Sequence, residues 1–265
     1  FIMGPILARF KHAALSYPGG CEIGLRPIDL HIFGLKKLNV KIREENGHII
    51  CDGSDMKSAE IDLDFPSVGA TENIMMAAVF LNGKTTIRNA AREPEIVDLA
   101  DFINSIGGKI YGAGTDTLVV EGIKKLSGGE YTPVPDRIAG CTFLAACALT
   151  GGDVYLENLR SDTVNAVTEK LMRAGCELIR GYDFVRIRSS GKLKAIHKVE
   201  TQPYPGFPTD MQAPLVAMLT RANGCSVMVE NLFENRYKYT VQLNKMGAKI
   251  TVKDRIAVVK GVNKL

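Results

Sequence analysis

The feature that most constrains the fold of this chain is a segment that recurs four times. The copies begin at positions 38, 106, 174 and 246, so successive copies lie 68, 68 and 72 residues apart. Each of the last three copies follows a second shared run, in which a glycine turn and an alternating strand end at Asn89, Asn158 or Asn231. Repeats of this size form supersecondary units that stack on one another and share a core.

One copy of the repeat predicts a unit of mixed helix and strand. Apolar residues from Ile96 to Ile106 follow i, i+3, i+4 spacing, which indicates a helix, and Gly107 is typical of a helix stop. Strands are predicted over 109–111 and 117–121, with a glycine turn between them. Another helix, rich in small residues, is predicted over 71–79, 141–149 and 210–219 in successive copies.

Length and repeat together predict two domains. A chain of 265 residues is long enough for about two domains of roughly 100–200 residues each. The stretch from Pro133 to Pro135 separates the second copy of the repeat from the third. We therefore expect one domain over residues 1–134 and a second domain over residues 135–265.

Composition excludes several functional classes. The net charge is +4 and the basic residues are spread along the chain, which permits an anionic small substrate but predicts no nucleic-acid partner. No apolar run approaches the roughly 18 residues that span a bilayer, so no membrane partner is expected. The six cysteines form no CxxC pair and the four histidines are isolated. This predicts free thiols in a cytoplasmic protein without a metal or another cofactor.

The chain begins in the middle of this pattern. It starts with Phe1 instead of Met and shows no signal peptide. We expect that it has lost an N-terminal part.

The segment from Pro18 to Arg26 carries the first candidate site. Three glycines and a proline surround Cys21, which predicts an exposed loop of the kind in which functional residues concentrate. A nearby cation such as Arg26 lowers the pKa of a thiol and raises its reactivity, so Cys21 is either a reactive residue or a bystander. Arg26 itself suits a phosphate or carboxylate group, or forms a surface ion pair.

Three further positions offer different chemistry. Asp29 could accept hydrogen bonds from a sugar hydroxyl or a base. Residues 67–69 open a predicted helix whose free N–H groups bind phosphate, although Ser67 could serve only as an N-cap. Asp210 follows a Pro-Gly-Phe-Pro run. It either caps its helix, which stabilises by about 0.5–2 kcal/mol, or acts as a general base toward a substrate hydroxyl.

Six sequence motifs are spread along the chain. They are Pro-Gly-Gly-Cys-x-Ile-Gly-x-Arg-Pro-Ile-Asp-Leu-His (18–31), Ser-Val-Gly-Ala-Thr (67–71), Asn-Ala-Ala-Arg-Glu-Pro-Glu-Ile-Val-Asp (89–98), Pro-Asp-Arg-Ile (135–138), Phe-Pro-Thr-Asp-Met-Gln (207–212) and Phe-Glu-Asn-Arg (233–236). Together these motifs resemble those of the UDP-N-acetylglucosamine enolpyruvyl transferase family. The similarity covers the whole chain in the family's order and spacing, and the first and last motifs are specific to the family.

The resemblance implies an α/β fold of two domains, each an inside-out barrel of three β-α-β-α-β-β units with helices inside and sheets outside. It implies transfer of the enolpyruvyl group of phosphoenolpyruvate to the 3′-hydroxyl of UDP-N-acetylglucosamine, with release of phosphate, in bacterial peptidoglycan synthesis. Domain closure on the nucleotide sugar would exclude water. Because four copies are present instead of six, the family's first and last units and their cations are expected to lie outside this chain.

The resemblance also implies roles for individual residues. Cys21 is similar to the thiol that acts in proton transfer to phosphoenolpyruvate and is alkylated by fosfomycin, and Arg26 is similar to an arginine that contacts phosphoenolpyruvate. Asp210 resembles the base for the sugar hydroxyl, while Glu93 and Asp136 resemble acidic residues near the site and the hinge. The substrate-binding positions are Arg26, Pro27, Ile28, Asp29 and Leu30 for uridine, Ser67, Val68 and Gly69 for the diphosphate, and Leu232, Phe233 and Arg236 beside the nucleotide sugar.

Two alternatives remain open at this point. The first is the shikimate-pathway enolpyruvyl transferase of the same fold, against which the Pro-Gly-Gly-Cys loop argues. The second is a fragment that binds a nucleotide sugar without turning it over, which the expected loss of terminal cations favours. Phe65 is a departure from the family pattern, because it stands where some members have a lysine.

Overall fold

The computed structural model describes residues 1–17, 19–20, 22–24 and 27–265, so the candidate residues Cys21 and Arg26 lie outside the described residues. Contacts between Cα atoms divide the described chain into two compact units. The first unit holds residues 1–17, 19–20 and 27–134, and the second holds residues 22–24 and 135–265.

The first unit contains two sheets and the helices packed on them. Strands β1, β3 and β2 form an antiparallel sheet in that order, and β4, β5, β7 and β6 form a second sheet in which only β4 and β5 run parallel. The helices are α1 (Met3–Phe10), α2 (Asp29–Lys37), α3 (Val68–Ala78) and α4 (Pro94–Ser105). The strands are β1 (His12–Ser16), β2 (Lys41–Glu45), β3 (His48–Asp52), β4 (Glu60–Asp62), β5 (Lys84–Arg88), β6 (Ile110–Tyr111) and β7 (Thr117–Glu121).

The second unit repeats this arrangement. Its first sheet has the order β8-β10-β9, and its second has the order β11-β12-β14-β13 with β11 and β12 parallel. The helices are α5 (Arg137–Thr150), α6 (Asn165–Arg173), α7 (Gln212–Leu219) and α8 (Thr240–Lys245), with 3-10 turns at Ser161–Val164 and Thr209–Met211. The strands are β8 (Gly152–Glu157), β9 (Glu177–Arg180), β10 (Phe184–Ser189), β11 (Lys198–Glu200), β12 (Cys225–Val229), β13 (Lys249–Lys253) and β14 (Ile256–Lys260).

The repeat predicted from the sequence is present as a structural unit. The second and fourth copies show the complete order β-α-β-α-β-β, from β4 to β7 and from β11 to β14. The first and third copies begin at a helix and have three-stranded sheets. In each copy the first helix is rich in small residues (α1, α3, α5, α7), and the second (α2, α4, α6, α8) leads into a β-hairpin.

The second helix of every copy ends in the same backbone geometry. The second residue after the helix is left-handed, with φ of 65° at Asn39, 100° at Gly107 and Gly175, and 104° at Gly247. In the second copy, Gly107 N–H donates to Asn104 at 3.0 Å and Gly108 N–H donates to Ile103 at 2.8 Å. Equivalent bonds occur in the other three copies. These are Schellman motifs, which satisfy the last carbonyls of the helix and favour Gly or Asn at the left-handed residue.

The small-residue helices lie inside and the sheets lie outside. Residues of α3 from Ala70 to Ala78 are mostly buried, and α3 contacts α1, α2 and α4. Strands β5 and β14 alternate between buried and more exposed residues, which is the pattern of a sheet with one face on the core. In the second unit, α5 and α7 pack beneath β10, β12 and β14.

The same close approach of two backbone segments occurs in both four-stranded sheets, where the last strand meets the chain that leaves the small-residue helix. Gly122 N–H donates to the Gly83 carbonyl at 2.9 Å, and Gly261 N–H donates to the Gly224 carbonyl at 3.0 Å. A Cβ on Gly122 would lie 1.4 Å from the Leu81 carbonyl oxygen, and a Cβ on Gly261 would lie 1.6 Å from that of Ala222. Only glycine fits at these two positions, because the obstacle is backbone.

We predict that Gly122→Ala destabilises the protein by about 2 kcal/mol or more, because the added methyl group forces two backbone segments apart. Gly128→Ala is the matched control, since a Cβ there meets nothing within 4 Å, and it should change stability by less than about 0.5 kcal/mol. Urea unfolding of both variants measures the difference. Equal stability of the two variants would contradict the close approach.

Candidate functional site

The structure places the predicted site residues on both units. Pro27, Ile28, Asp29 and Leu30 lie at the start of α2, and residues 67–69 lie at the start of α3, both in the first unit. The second unit carries Asp210, Leu232, Phe233 and Arg236.

At the start of α2, exposed residues alternate with partly buried apolar residues. Asp29 is the first residue of the helix and is exposed, as is Pro27. Ile28 and Leu30 are partly buried against the core of the first unit. An acidic residue in the first turn complements the helix dipole, so Asp29 is favourable at this position.

The start of α3 is an N-terminus with a conventional cap. The Ser67 hydroxyl accepts a hydrogen bond from Ala70 N–H at 3.3 Å, so the capping role considered for this residue is confirmed. The N–H groups of the first turn, which include those of Val68 and Gly69, have no acceptor within a helix and are directed toward an anion in many phosphate sites. Phe65, two residues before the cap, is exposed.

His31 brings these two helix starts together. A Cβ on Gly69 would lie 3.0 Å from both Cε1 and Nε2 of the His31 ring, so the imidazole packs directly on the first turn of α3. Asn73 donates from Nδ2 to His31 Nδ1 at 3.2 Å, while its Oδ1 accepts from Gly4 N–H at 2.6 Å. The uridine and diphosphate segments implied by the resemblance are therefore neighbours within one unit.

His31 is a neutral donor at this position. Burial lowers its pKa to about 4, so the ring carries no charge at neutral pH. Because Nδ1 accepts the hydrogen bond from Asn73, the ring proton is assigned to Nε2. His31 was not among the predicted site residues, because the four histidines are isolated from one another in the sequence. Its position one residue after Leu30 was the available signal.

In the second unit, Asp210 and Arg236 form a close ion pair. Arg236 Nη2 donates to Asp210 Oδ1 at 2.6 Å, and the guanidinium lies 5.4 Å from the centroid of the Phe233 ring. The Asp210 side chain is 59% exposed, whereas that of Arg236 is 16% exposed. The arginine is thus fixed by packing on an aromatic ring, and it presents the carboxylate of Asp210 to solvent.

Asp210 lies just outside the helix predicted for it. The helix was predicted to begin at residue 210, but α7 begins at Gln212 and Asp210 lies in the preceding 3-10 turn. The N-cap residues of the turn and the helix are Pro208 and Met211, and neither forms a side-chain cap bond, so Asp210 does not act as an N-cap. Its carboxylate remains exposed to solvent.

Residues 22–24 pack beside the same segment of the second unit. Asn235 N–H donates to the Ile23 carbonyl at 2.9 Å, and Lys238 Nζ lies 2.6 Å from the Glu22 carboxylate. The hydrogen bond from Lys238 lowers the pKa of the exposed Glu22. A Cβ on Gly24 would lie 2.7 Å from the carboxylate of Glu234, so glycine permits this close contact.

Acidic residues lie close together at the helix α3 of the first unit. Burial, and then the charge of Glu95, raises the pKa of Glu72 to about 7, with a further contribution from Glu93. Among the described residues, no group of three or more His, Cys, Asp or Glu side chains has an arrangement that could hold a metal ion. The raised pKa therefore reflects burial and repulsion between carboxylates.

We predict that Glu72 makes stability fall as pH rises. Its pKa is about 7 in the folded state against 4.5 ordinarily, so the unfolded chain releases this proton first and stability is lost between about pH 4.5 and 7. Glu72→Gln should therefore stabilise the protein at about pH 8 relative to its effect at about pH 5. Urea midpoints at the two pH values measure this, with exposed Glu130→Gln as control. A pH-independent difference between Glu72→Gln and the parent would show that the carboxylate is not perturbed.

The family model for EPSP synthase (3-phosphoshikimate 1-carboxyvinyltransferase) matches residues 1–265, the full chain. The chain belongs to this enolpyruvyl transferase family. The resemblance found in the sequence motifs is therefore confirmed at the level of the family, and the fold that it implies rests on more than the motifs.

Curated relatives are identical to this chain at about half of the aligned positions. A UDP-N-acetylglucosamine 1-carboxyvinyltransferase 2 from Caldanaerobacter subterraneus subsp. tengcongensis is 51% identical over 265 residues, and the enzyme 1 from Staphylococcus aureus is 46% identical over 265 residues. Each match covers 100% of this chain but 64% and 63% of the relative. The chain thus spans less than two thirds of the length of the relatives it matches.

Solved structures with lower identity share the fold. The enolpyruvyl transferase NikO from Streptomyces tendae superposes with a TM-score of 0.84 at 21% identity, covering 97% of this chain and 62% of that chain. An EPSP synthase from Acinetobacter baumannii gives a TM-score of 0.64 at 22% identity, covering 98% and 62% respectively. The predicted α/β fold of the enolpyruvyl transferases is confirmed. Among the described residues, no helix has the length and apolar character needed to cross a membrane.

Proposed function

We propose that this chain is part of an enzyme that transfers the enolpyruvyl group of phosphoenolpyruvate to the 3′-hydroxyl of UDP-N-acetylglucosamine and releases phosphate. The observation that carries the proposal is identity of 46–51% along the full chain with relatives named UDP-N-acetylglucosamine 1-carboxyvinyltransferase. The shikimate-type enzyme receives less support, because the structure named EPSP synthase shares only 22% identity with the chain. The reaction would be the first committed step of peptidoglycan synthesis in the bacterial cytoplasm.

The first unit supplies the nucleotide-binding groups in this proposal. Pro27, Ile28, Asp29 and Leu30 contact uridine, and the N–H groups at the start of α3 hold the diphosphate, as helix N-termini do in other phosphate sites. The packing of His31 on Gly69 supports this, because it sets the two segments side by side. Arg26 joins them as the arginine that contacts phosphoenolpyruvate.

The second unit supplies the base. Asp210 takes the proton of the 3′-hydroxyl while the hydroxyl oxygen attacks C2 of phosphoenolpyruvate, and C3 gains a proton with the participation of Cys21. In the second step the tetrahedral intermediate returns one proton from the C3 methyl group to the group that protonated it and breaks the bond between C2 and the phosphate oxygen, so inorganic phosphate leaves and the enol ether double bond forms. Arg236 holds the Asp210 carboxylate in one orientation, and Leu232 and Phe233 contact the nucleotide sugar.

We predict that Asp210→Asn lowers the rate of phosphate release by about 10²–10⁴-fold, because an amide cannot accept the proton of the sugar hydroxyl. Affinity for UDP-N-acetylglucosamine should change much less. Asp153→Asn is the matched control, since Asp153 is also an exposed carboxylate bonded to arginine, at 2.6 Å from Arg186, but lies on the outer strand β8.

Three results of that assay are informative. Loss of phosphate release in Asp210→Asn alone supports the assignment of the base. Equal rates in both variants would exclude Asp210 as the base. Binding of UDP-N-acetylglucosamine by the parent chain without phosphate release would favour the alternative of a nucleotide-sugar-binding fragment.

We also predict that fosfomycin alkylates Cys21 selectively when UDP-N-acetylglucosamine is present. Four other cysteines are buried, and burial raises the pKa of Cys141 to about 12, which makes that thiol unreactive. Cys225 is exposed and serves as the internal control. Peptide mass measurement after exposure identifies the modified residue. Labelling of Cys225 to the same extent, or labelling of Cys21 that ignores the sugar, would contradict a specific site.

A further inference from the structure

Glu230 is a fully buried carboxylate directly after strand β12. Its Oε1 accepts hydrogen bonds from the Thr201 hydroxyl at 2.9 Å and from the N–H groups of Leu232 and Phe233 at 2.9 and 3.1 Å. Its Oε2 accepts from the Thr209 hydroxyl at 3.0 Å and from Gln212 Nε2 at 3.3 Å. Five donors converge on one side chain that solvent does not reach.

Three of the five donors cannot act as acceptors, because the amide groups of Leu232, Phe233 and Gln212 can only donate. The Thr201 hydroxyl oxygen accepts from Asn231 N–H at 2.9 Å, which leaves its own proton for Glu230. Both side-chain oxygens of Glu230 therefore receive hydrogen bonds from the protein, which offsets the loss of water on burial.

Four of the five donors come from the two segments that carry the proposed base and its neighbours, and the fifth, Thr201, follows strand β11. Thr209 and Gln212 stand on either side of Asp210 in the chain. Leu232 and Phe233 begin the segment that leads to Arg236.

Arg236 closes the arrangement into a ring. It bonds to Asp210 at 2.6 Å and lies over the Phe233 ring. The path from Glu230 through Thr209, Asp210, Arg236 and Phe233 therefore returns to Glu230. A displacement of either segment would break bonds to the same carboxylate.

The neighbouring copies of the repeat show that the fold does not require this carboxylate. The last paired residue of the strand is Arg88 in the second copy, Glu157 in the third and Val229 in the fourth, opposite Thr117, Phe184 and Ile256 of the following hairpins. The residue that follows it is therefore Asn89, Asn158 or Glu230, and both Asn89 and Asn158 are exposed.

The partner position differs in the same way. Asn89 Nδ2 donates to the Leu63 carbonyl at 2.7 Å, and Asn231, which lies one residue later in its strand register, donates to the Thr201 carbonyl at 3.0 Å. Thr201 stands where the second copy has Leu63, so an apolar side chain is replaced by a hydroxyl that bonds to Glu230. The buried polar network is specific to the copy that carries Asp210.

We propose that Glu230 is a positioning residue that holds the Asp210 turn and the segment from Leu232 to Arg236 in the geometry needed to engage the nucleotide sugar. The inference rests on the proposed function for its substrate. The positioning itself can be measured without any ligand, because it concerns named amide groups.

The experiment compares Glu230→Gln with Glu157→Gln, the same substitution at an exposed glutamate that ends strand β8. Hydrogen exchange of the backbone amides of Leu232 and Phe233 is measured by NMR, and the dissociation constant for UDP-N-acetylglucosamine is measured by calorimetry. In Glu230→Gln, we expect exchange at these amides to rise by about tenfold or more and affinity to fall by about tenfold. Glu157→Gln should change both by less than about twofold.

Two additional variants keep the result interpretable if Glu230→Gln does not fold. Thr209→Val removes one donor while leaving the carboxyl group in place, and it should raise exchange at Leu232 and Phe233 with the same sign. Glu230→Asp keeps a carboxyl group on a shorter side chain, and it should restore part of the protection and part of the affinity lost in Glu230→Gln. A purely electrostatic or bulk stability effect would not produce this graded recovery at the named amides.

The outcomes separate the two proposals. Unchanged exchange at these amides in Glu230→Gln and in Thr209→Val would overturn the positioning role. Raised exchange with unchanged affinity for UDP-N-acetylglucosamine would overturn its connection to the substrate. Failure of the parent chain to bind UDP-N-acetylglucosamine would overturn the proposed substrate, while the exchange data would still decide whether Glu230 orders the two segments.

Discussion

Both units depend on one backbone constraint, the left-handed residue that ends the second helix of each repeat. The two amides that follow this helix bond back to its last carbonyls, so the chain leaves the helix in a fixed direction and enters the hairpin in a fixed register. The hairpin can then lay its apolar face over the small-residue helices. Because Gly or Asn meets this requirement at positions 39, 107, 175 and 247, four stretches of different sequence adopt the same unit.

Much of the fold was predictable because this constraint is local. A glycine stop, an amphipathic helix and an alternating strand each leave a pattern within a few residues. The boundaries were less predictable: the helix expected over 141–149 begins at Arg137, because the Asp136 side chain accepts from Ile138 and Ala139 N–H at 2.8 and 3.0 Å. The start of α7 at Gln212 was misjudged by two residues, since a 3-10 turn leaves no distinct sequence pattern.

The candidate site was predictable only where family motifs marked it. The motifs identified Asp210 and Arg236 separately, but nothing in the sequence indicated that residues 26 positions apart form an ion pair. The burial of Glu230 could not be predicted from the sequence, for a physical reason. A glutamate at the end of a strand is usually solvated, and its burial depends on a loop from Thr201 to Gln212 whose path is set by tertiary contacts.

The electrostatic properties of the site follow from burial and not from residue type. A histidine that is charged near pH 6 in water is neutral in the first unit, and a glutamate one helical turn beyond the start of α3 has its pKa raised to about 7. The largest cause of each pKa shift is the removal of the group from water, and for the glutamate the charge of Glu95 adds to it. Neither could be deduced from sequence spacing, because spacing does not specify what covers a side chain.

The different side chains at positions 89, 158 and 230 have a consequence for how such a protein can change. The site after the last paired residue of the strand holds an exposed asparagine in two copies and an interior glutamate in another, while the pairing of that strand with the following hairpin remains in all three. The residues that maintain the scaffold and the residues that adapt it are therefore adjacent but independent. Duplication of such a unit supplies spare copies in which the adaptable position can acquire a new role, and the chain keeps its architecture while that happens.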